Sequence, residues 1–105
     1  MTYEDTLVAL ADPTRRSIYE HIRQRPSSVG ELVQVVAVSQ PAVSQHLSVL
    51  KRARLVRVES AGTRRIYSAS TEGLAELRRY IETLWDDVLA AYAADDEPET
   101  DVEAT

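Results

Sequence analysis

Ser39-Gln40-Pro41-Ala42-Val43-Ser44-Gln45-His46-Leu47-Ser48-Val49-Leu50-Lys51-Arg52-Ala53-Arg54 reads as one helix with two unlike faces. Ser39 is a good N-cap, because its hydroxyl can accept a hydrogen bond from a first-turn N–H that has no partner within the helix. Gln40 and Pro41 follow in the first turn, where the missing proline N–H has no intrahelical bond to lose. Val43, Leu47 and Leu50 recur at intervals of four and three, which draws one narrow apolar stripe for burial. The opposite face carries Pro41, Ser44, Gln45, Ser48 and Arg52, with Gln40 and Lys51 on its flank. Short hydrogen-bonding side chains backed by cations suit a target outside the protein. Hydroxyl and amide groups read base edges in a major groove, and Lys and Arg neutralise phosphates. An ordinary solvated helix has the same pattern in isolation, so the neighbouring segments decide.

Upstream, Ser28-Val29-Gly30-Glu31 has the form of a capping box, with Ser28 as N-cap and Glu31 reaching back to its N–H. The spacing predicts a short helix over 29–36, with Leu32, Val33 and Val36 inward, and a tight turn at Ala37-Val38. Two short helices joined by three or four residues, the second polar outside, make a helix-turn-helix. Downstream, Leu55–Ser60 and Thr63–Ala69 alternate around Ala61-Gly62, a β-hairpin signal. Its tip carries Thr63, Arg64 and Arg65. A hairpin placed directly after a helix-turn-helix is a wing, here spanning 60–65.

Two further helices precede this unit. Residues 3–11 put Tyr3, Leu7, Leu10 and Ala11 on one face, with acids in the first turn where the helix dipole favours them. Asp12 then serves as N-cap and Pro13 as first residue of a second helix to about Arg25. Its buried side is Ile18, Tyr19 and Ile22; Arg15, Arg16 and Arg23 are expected in solvent. Ser70 and Thr71 open a last helix that runs to about Ala94. Leu74, Leu77, Ile81, Leu84, Val88 and Ala91 are spaced three, four, three, four and three, as alternating heptad positions are. Trp85, Leu89 and Tyr92 widen the stripe. A small domain cannot cover so long an apolar face, so a partner helix is expected, with burial against the first helix as the competing reading.

The 105 residues are enough for one domain over 1–94, mainly α with a β-hairpin wing, and an acidic tail over 95–105 expected to be disordered. The net charge of −5 is unevenly placed: the tail alone carries six acids and no base, so the rest of the chain is +1. Residues 13–69 hold ten bases against three acids, a basic middle of +7. A nucleic-acid footprint is a local patch, so overall acidity does not exclude one. The absence of cysteine excludes disulfides, thiolate metal sites and thiol redox chemistry. No apolar run approaches a membrane span, and the N-terminus lacks a signal-peptide pattern, so the protein is read as cytoplasmic.

From Leu10 to Tyr92 the chain resembles the ArsR-type (ArsR/SmtB) winged helix-turn-helix repressors. The resemblance is carried by A-L-A-D-P-T-R-R-S-I at 9–18, S-V-G-E-L at 28–32, V-S-Q-P-A-V-S-Q-H-L-S-V-L at 38–50 and R-R-I-Y-S at 64–68. It implies a homodimer through the first and last helices, with the fourth helix in the major groove of double-stranded DNA. Carried over, Gln40, Ser44, Gln45 and Ser48 face bases, and Arg64 and Arg65 are wing contacts. The full expected DNA surface adds Ser39, Pro41, Lys51, Arg52, Arg54 and Thr63. The expected dimer surface is Tyr3, Leu7, Leu10, Leu77, Ile81, Leu84, Trp85, Val88 and Tyr92.

Many members of that family sense metals through a cysteine pair on the third helix, or through His and carboxylates on the last. Here the third helix has no thiol and the last has no histidine. The chain looks most like the metal-independent branch, which includes SdpR-like autorepressors. No metal, cofactor or named effector is expected. His46, beside the buried stripe, is read as a packing or hydrogen-bonding residue, and Glu82, Asp86 and Asp87 as a solvated face. Where the family usually has A-G-L, this chain has Ala53-Arg54-Leu55, which sets an L-residue where a left-handed glycine is expected. An enzyme is not expected, since Ser44 and His46 point different ways on a helix and three glycines make no phosphate loop. The rival reading is a protein-interaction module that binds a partner through the helix at 72–94.

Overall fold

A computed structural model describes residues 2–94. The expected acidic tail lies outside those residues. The elements run α1 (Tyr3–Ala11), α2 (Pro13–Gln24), β1 (Ser27–Ser28), α3 (Val29–Val33), α4 (Gln40–Arg52), β2 (Val56–Ala61), β3 (Arg64–Ala69) and α5 (Glu72–Ala94).

Side-chain oxygens open the first four helices. Thr2 and Asp5 form a capping box on α1, and Asp12 Oδ1 accepts the Arg15 N–H at 2.9 Å on α2. On α3, Ser28 Oγ accepts the Glu31 N–H at 3.2 Å while Glu31 Oε1 accepts the Ser28 N–H at 2.8 Å. Ser39 Oγ accepts the Ala42 N–H on α4. These bonds satisfy donors that a helix leaves unpaired. The end of α1 has no glycine, and Arg15 and Arg16 close it: their guanidinium groups donate to the carbonyls of Val8, Ala9 and Leu10 at 2.9–3.3 Å. The expectation that both arginines are merely solvated is therefore corrected.

α3 is shorter than the expected 29–36. After Val33 the bonds tighten to the third residue back, Gln34 N–H to Glu31 O at 3.2 Å and Val35 N–H to Leu32 O at 3.0 Å. The valines at 33, 35, 36 and 38 lose rotamer freedom in a helix, which favours the early stop. The helix expected over 39–54 likewise ends at Arg52. Leu55 N–H bonds Leu50 O and Arg54 N–H bonds Lys51 O, both at 3.0 Å, with Arg54 at φ +58°. That is a Schellman closure with arginine in the usual glycine position.

The sheet has three antiparallel strands in the order β1-β3-β2. β2 and β3 form the expected hairpin, in register from Val56 opposite Ala69 to Ala61 opposite Arg64. Gly62, at φ +68°, takes the first of the two turn positions, where L-residues are strained. β1 was not expected: Ser27 pairs Tyr67 and Ser28 pairs Ile66. Ile18, Ile22, Leu32, Val43, Leu47, Leu50 and Leu55 are fully buried and fuse α2, α3, α4 and the hairpin around one core.

α5 crosses the end of α4 at Gly73. A Cβ there would lie 2.3 Å from Ala53 O, so only glycine allows the approach. Gly73 N–H donates to Arg54 O at 2.8 Å, and the buried Thr6 hydroxyl donates to Gly73 O at 3.2 Å. Tyr3 stacks on Tyr80 with ring centroids 3.8 Å apart. Burial of α5 against α1 thus holds for its first turns. From Ile81 to Ala94 every residue is exposed, Trp85 by 62% and Tyr92 by 75%.

Candidate nucleic-acid interface

The stripe Val43, Leu47 and Leu50 is buried, which fixes the rotation of α4 about its axis. That rotation turns Ser39, Gln40, Pro41, Ser44, Gln45, Ser48, Lys51 and Arg52 outward, and all eight are exposed. No acid lies on α4, and its last turn carries Lys51 and Arg52, where the helix dipole favours cations. Neither has a carboxylate partner among the described residues.

His46 packs inward, as expected. It is half-buried, its Nδ1 has no hydrogen-bond partner, and it lies near Asp12. Asp12 is held below its ordinary pKa first by the Arg15 backbone N–H and then by the charges of His46 and Arg15.

The wing tip exposes Thr63 and Arg65, and Arg65 has no acidic partner among the described residues. Arg64 is placed differently. Its Nη2 donates to Ser28 Oγ at 2.9 Å and lies 3.4 Å from Glu31 Oε1. Glu31 is held below its ordinary pKa by the Ser28 backbone N–H first and by Arg64 second. Arg54 is turned away from the outer face of α4 toward α5, with its Nη1 3.2 Å from Glu72 Oε1. Neither tie is readable from the sequence, because neither partner lies within helical or hairpin spacing of its arginine. Glu82 likewise pairs Arg78 at 3.0 Å.

The apolar residues of the expected dimer surface fall in two groups. Tyr3, Leu10 and Leu77 are half-buried near the α1–α5 crossing. Leu7, Ile81, Leu84, Trp85, Val88 and Tyr92 are 44–75% exposed. Among the described residues, no helix is long and apolar enough to cross a membrane, and no three His, Cys, Asp or Glu residues gather as a metal site would need.

A helix-turn-helix domain family matches residues 10–59, the segment from the end of α1 into β2. The transcriptional regulator Rv2034 of Mycobacterium tuberculosis is 53% identical over 85 residues, which cover 81% of this chain and 79% of that protein. The solved structure of an ArsR-like transcriptional regulator from Rhodococcus sp. RHA1 superposes with a TM-score of 0.77 at 28% identity, over 92% of this chain and 94% of that one. The chain belongs to the ArsR/SmtB family of transcriptional regulators. The transcriptional repressor SmtB of M. tuberculosis is 40% identical over 73 residues, which cover 70% of this chain and 54% of SmtB. The winged helix-turn-helix described above is therefore the DNA-binding unit of an ArsR/SmtB regulator.

Proposed function

We propose that this ArsR/SmtB regulator is a homodimeric repressor that reads a pseudo-palindromic operator. The two copies of α4 enter successive major grooves, with half-sites about one helical turn apart. Gln40, Ser44, Gln45 and Ser48 read base edges. Ser39, Pro41, Lys51, Arg52, Thr63 and Arg65 line the backbone, where cations and small polar groups set register. The observation that carries this reading is the outer face of α4: eight exposed residues, no acid, hydroxyls and amides in the middle and cations at the end.

Dimerisation follows from α5. The stripe Ile81, Leu84 and Val88, flanked by Trp85 and Tyr92, is left 44–75% exposed by the described residues of its own chain. Burying one such side chain contributes roughly 1.5–3 kcal/mol. A second copy of α5, with Leu7 and Leu10 of α1 beside it, supplies the cover in a two-fold arrangement. The absence of thiols supports placement in the metal-independent branch, and self-repression follows if the chain's own promoter carries the operator.

Selection from random duplexes tests the reading. It is expected to enrich a two-fold sequence bound by two chains. Gln45→Ala and Ser44→Ala should change the preferred bases, whereas Lys51→Ala should weaken all duplexes alike. Enrichment of no sequence, with α5 pairing to a different protein, would favour a pure interaction module.

A further inference from the structure

Arg64 stands at the first position of β3, next to the wing tip, yet its side chain runs back to the start of α3. The antiparallel register explains the reach. Ser28 of β1 pairs Ile66 of β3, and Arg64 lies two residues before Ile66, on the same face of the strand. The guanidinium therefore lies over Ser28, the N-cap of α3, and over Glu31, the other half of its capping box. β1 contributes only two residue pairs to the sheet, so backbone bonding between the wing and α3 is slight. Arg64 adds a tie beyond the end of that short ladder, on the side toward the wing tip. Its charge is meanwhile matched by a carboxylate.

We propose that Arg64 is a positioning residue. It fixes the angle of the wing against the helix-turn-helix, so that Thr63 and Arg65 meet the duplex in register with α4, and it touches no phosphate of its own. This rests on the DNA reading above and gives Arg64, which the family resemblance makes a wing contact, a different task. Phosphate binding and positioning make opposite predictions for Glu31. If only charge near DNA matters, removing this acid strengthens binding. If Arg64 works through Glu31, removing the acid weakens it.

The experiment measures affinity of the full chain for its selected duplex across a salt series, in wild type, Arg64→Gln, Glu31→Gln, the double variant and Arg65→Gln. Glutamine at 31 can keep the capping box, because either Glu or Gln serves there. Thermal denaturation checks that every variant is folded at the binding temperature. Arg64→Gln is expected to weaken binding about threefold to fivefold, the upper range for a half-exposed ion pair, with an unchanged slope of log affinity against log salt. Glu31→Gln should also weaken binding, and the double variant should be no worse than Arg64→Gln alone. Arg65→Gln should flatten the slope by about 0.9 for each phosphate that the arginine neutralises in wild type.

A flatter slope in Arg64→Gln, tighter binding in Glu31→Gln, or multiplying effects in the double variant would each overturn the assignment and return Arg64 to the phosphates. A wild-type chain that binds every duplex weakly and without salt dependence would remove the DNA reading itself, and this inference with it.

Discussion

Gly73→Ala adds a single methyl group at the point where α5 meets the end of α4. The new Cβ would lie 2.3 Å from Ala53 O and 3.0 Å from Arg54 O, both backbone atoms that no rotamer change can move. Ordinary carbon–oxygen contacts start at about 3.3 Å, so the two elements must separate by about 1 Å. Such overpacking costs about 1–3 kcal/mol. The shift also stretches two hydrogen bonds, Gly73 N–H to Arg54 O at 2.8 Å and the buried Thr6 hydroxyl to Gly73 O at 3.2 Å. Each is worth about 1 kcal/mol. Helix propensity acts the other way and favours alanine by about 1 kcal/mol. Sterics win, with a net destabilisation of about 2 kcal/mol, which lowers Tm by roughly 8–16 °C for a domain of this size. Circular dichroism melts at one fixed protein concentration measure it, since dimerisation makes Tm concentration-dependent. Gly30→Ala is the internal control: its Cβ meets only Ser28 Oγ at 3.9 Å, so propensity should decide and Tm should hold or rise. A Gly73→Ala protein as stable as wild type would refute the close crossing, and with it the docking of α5 on α4.

The left-handed Arg54 gives a paired prediction. Arg54→Ala keeps the strain and loses the exposed tie to Glu72, whereas Arg54→Gly loses both, so Gly should exceed Ala by about 1 kcal/mol and wild type should match or trail Gly; equal melts for the two variants would exclude strain at that position. Ile81→Glu or Leu84→Glu places a charge in the proposed seam and should dissociate the dimer in sedimentation, with DNA affinity falling as one half-site goes unfilled; an unchanged dimer would put the interface elsewhere. Acid should destabilise the fold through Asp12 and Glu31. Both have folded pKa values below their ordinary 3.8 and 4.5, so their contribution is present above those values and is lost as pH falls through the lower folded ones. Asp12→Asn or Glu31→Gln should therefore flatten the acid limb of a stability–pH curve, and a limb as steep as wild type's would show that these carboxylates carry none of it.

Most of the fold was legible because its signals are local. Ser28 with Glu31, Asp12-Pro13 and Ser39-Gln40-Pro41 each specify a helix start within four residues. The 43–47–50 stripe then sets which side of α4 faces out. What was not legible depends on segments far apart in sequence. β1 is two serines whose pairing exists only because β3 passes beside them. Thr6, polar and fully buried, is at home in the core because Gly73 O accepts its proton. Arg15 and Arg16 read as surface charges, yet they supply the C-terminal cap that α1 lacks. Within the site, the exposed face of α4 was readable from period alone. The separation of Arg64 and Arg54 from Arg65 was not, because three exposed arginines look alike until their carboxylate partners are placed.

In the proposed complex, two copies of α4 and its wing hold one duplex through phosphates and base edges. The slope of log affinity against log salt, measured with the selected two-fold duplex, tests it most directly. Lys51, Arg52 and Arg65 provide three cations per protomer with no acidic partner among the described residues, and thus six per dimer. At about 0.9 per neutralised phosphate the slope should approach roughly −5, and about half that on a duplex holding a single half-site. A slope near zero, or the same slope on the full and half sites, would rule out a dimer that grips two half-sites through their phosphates.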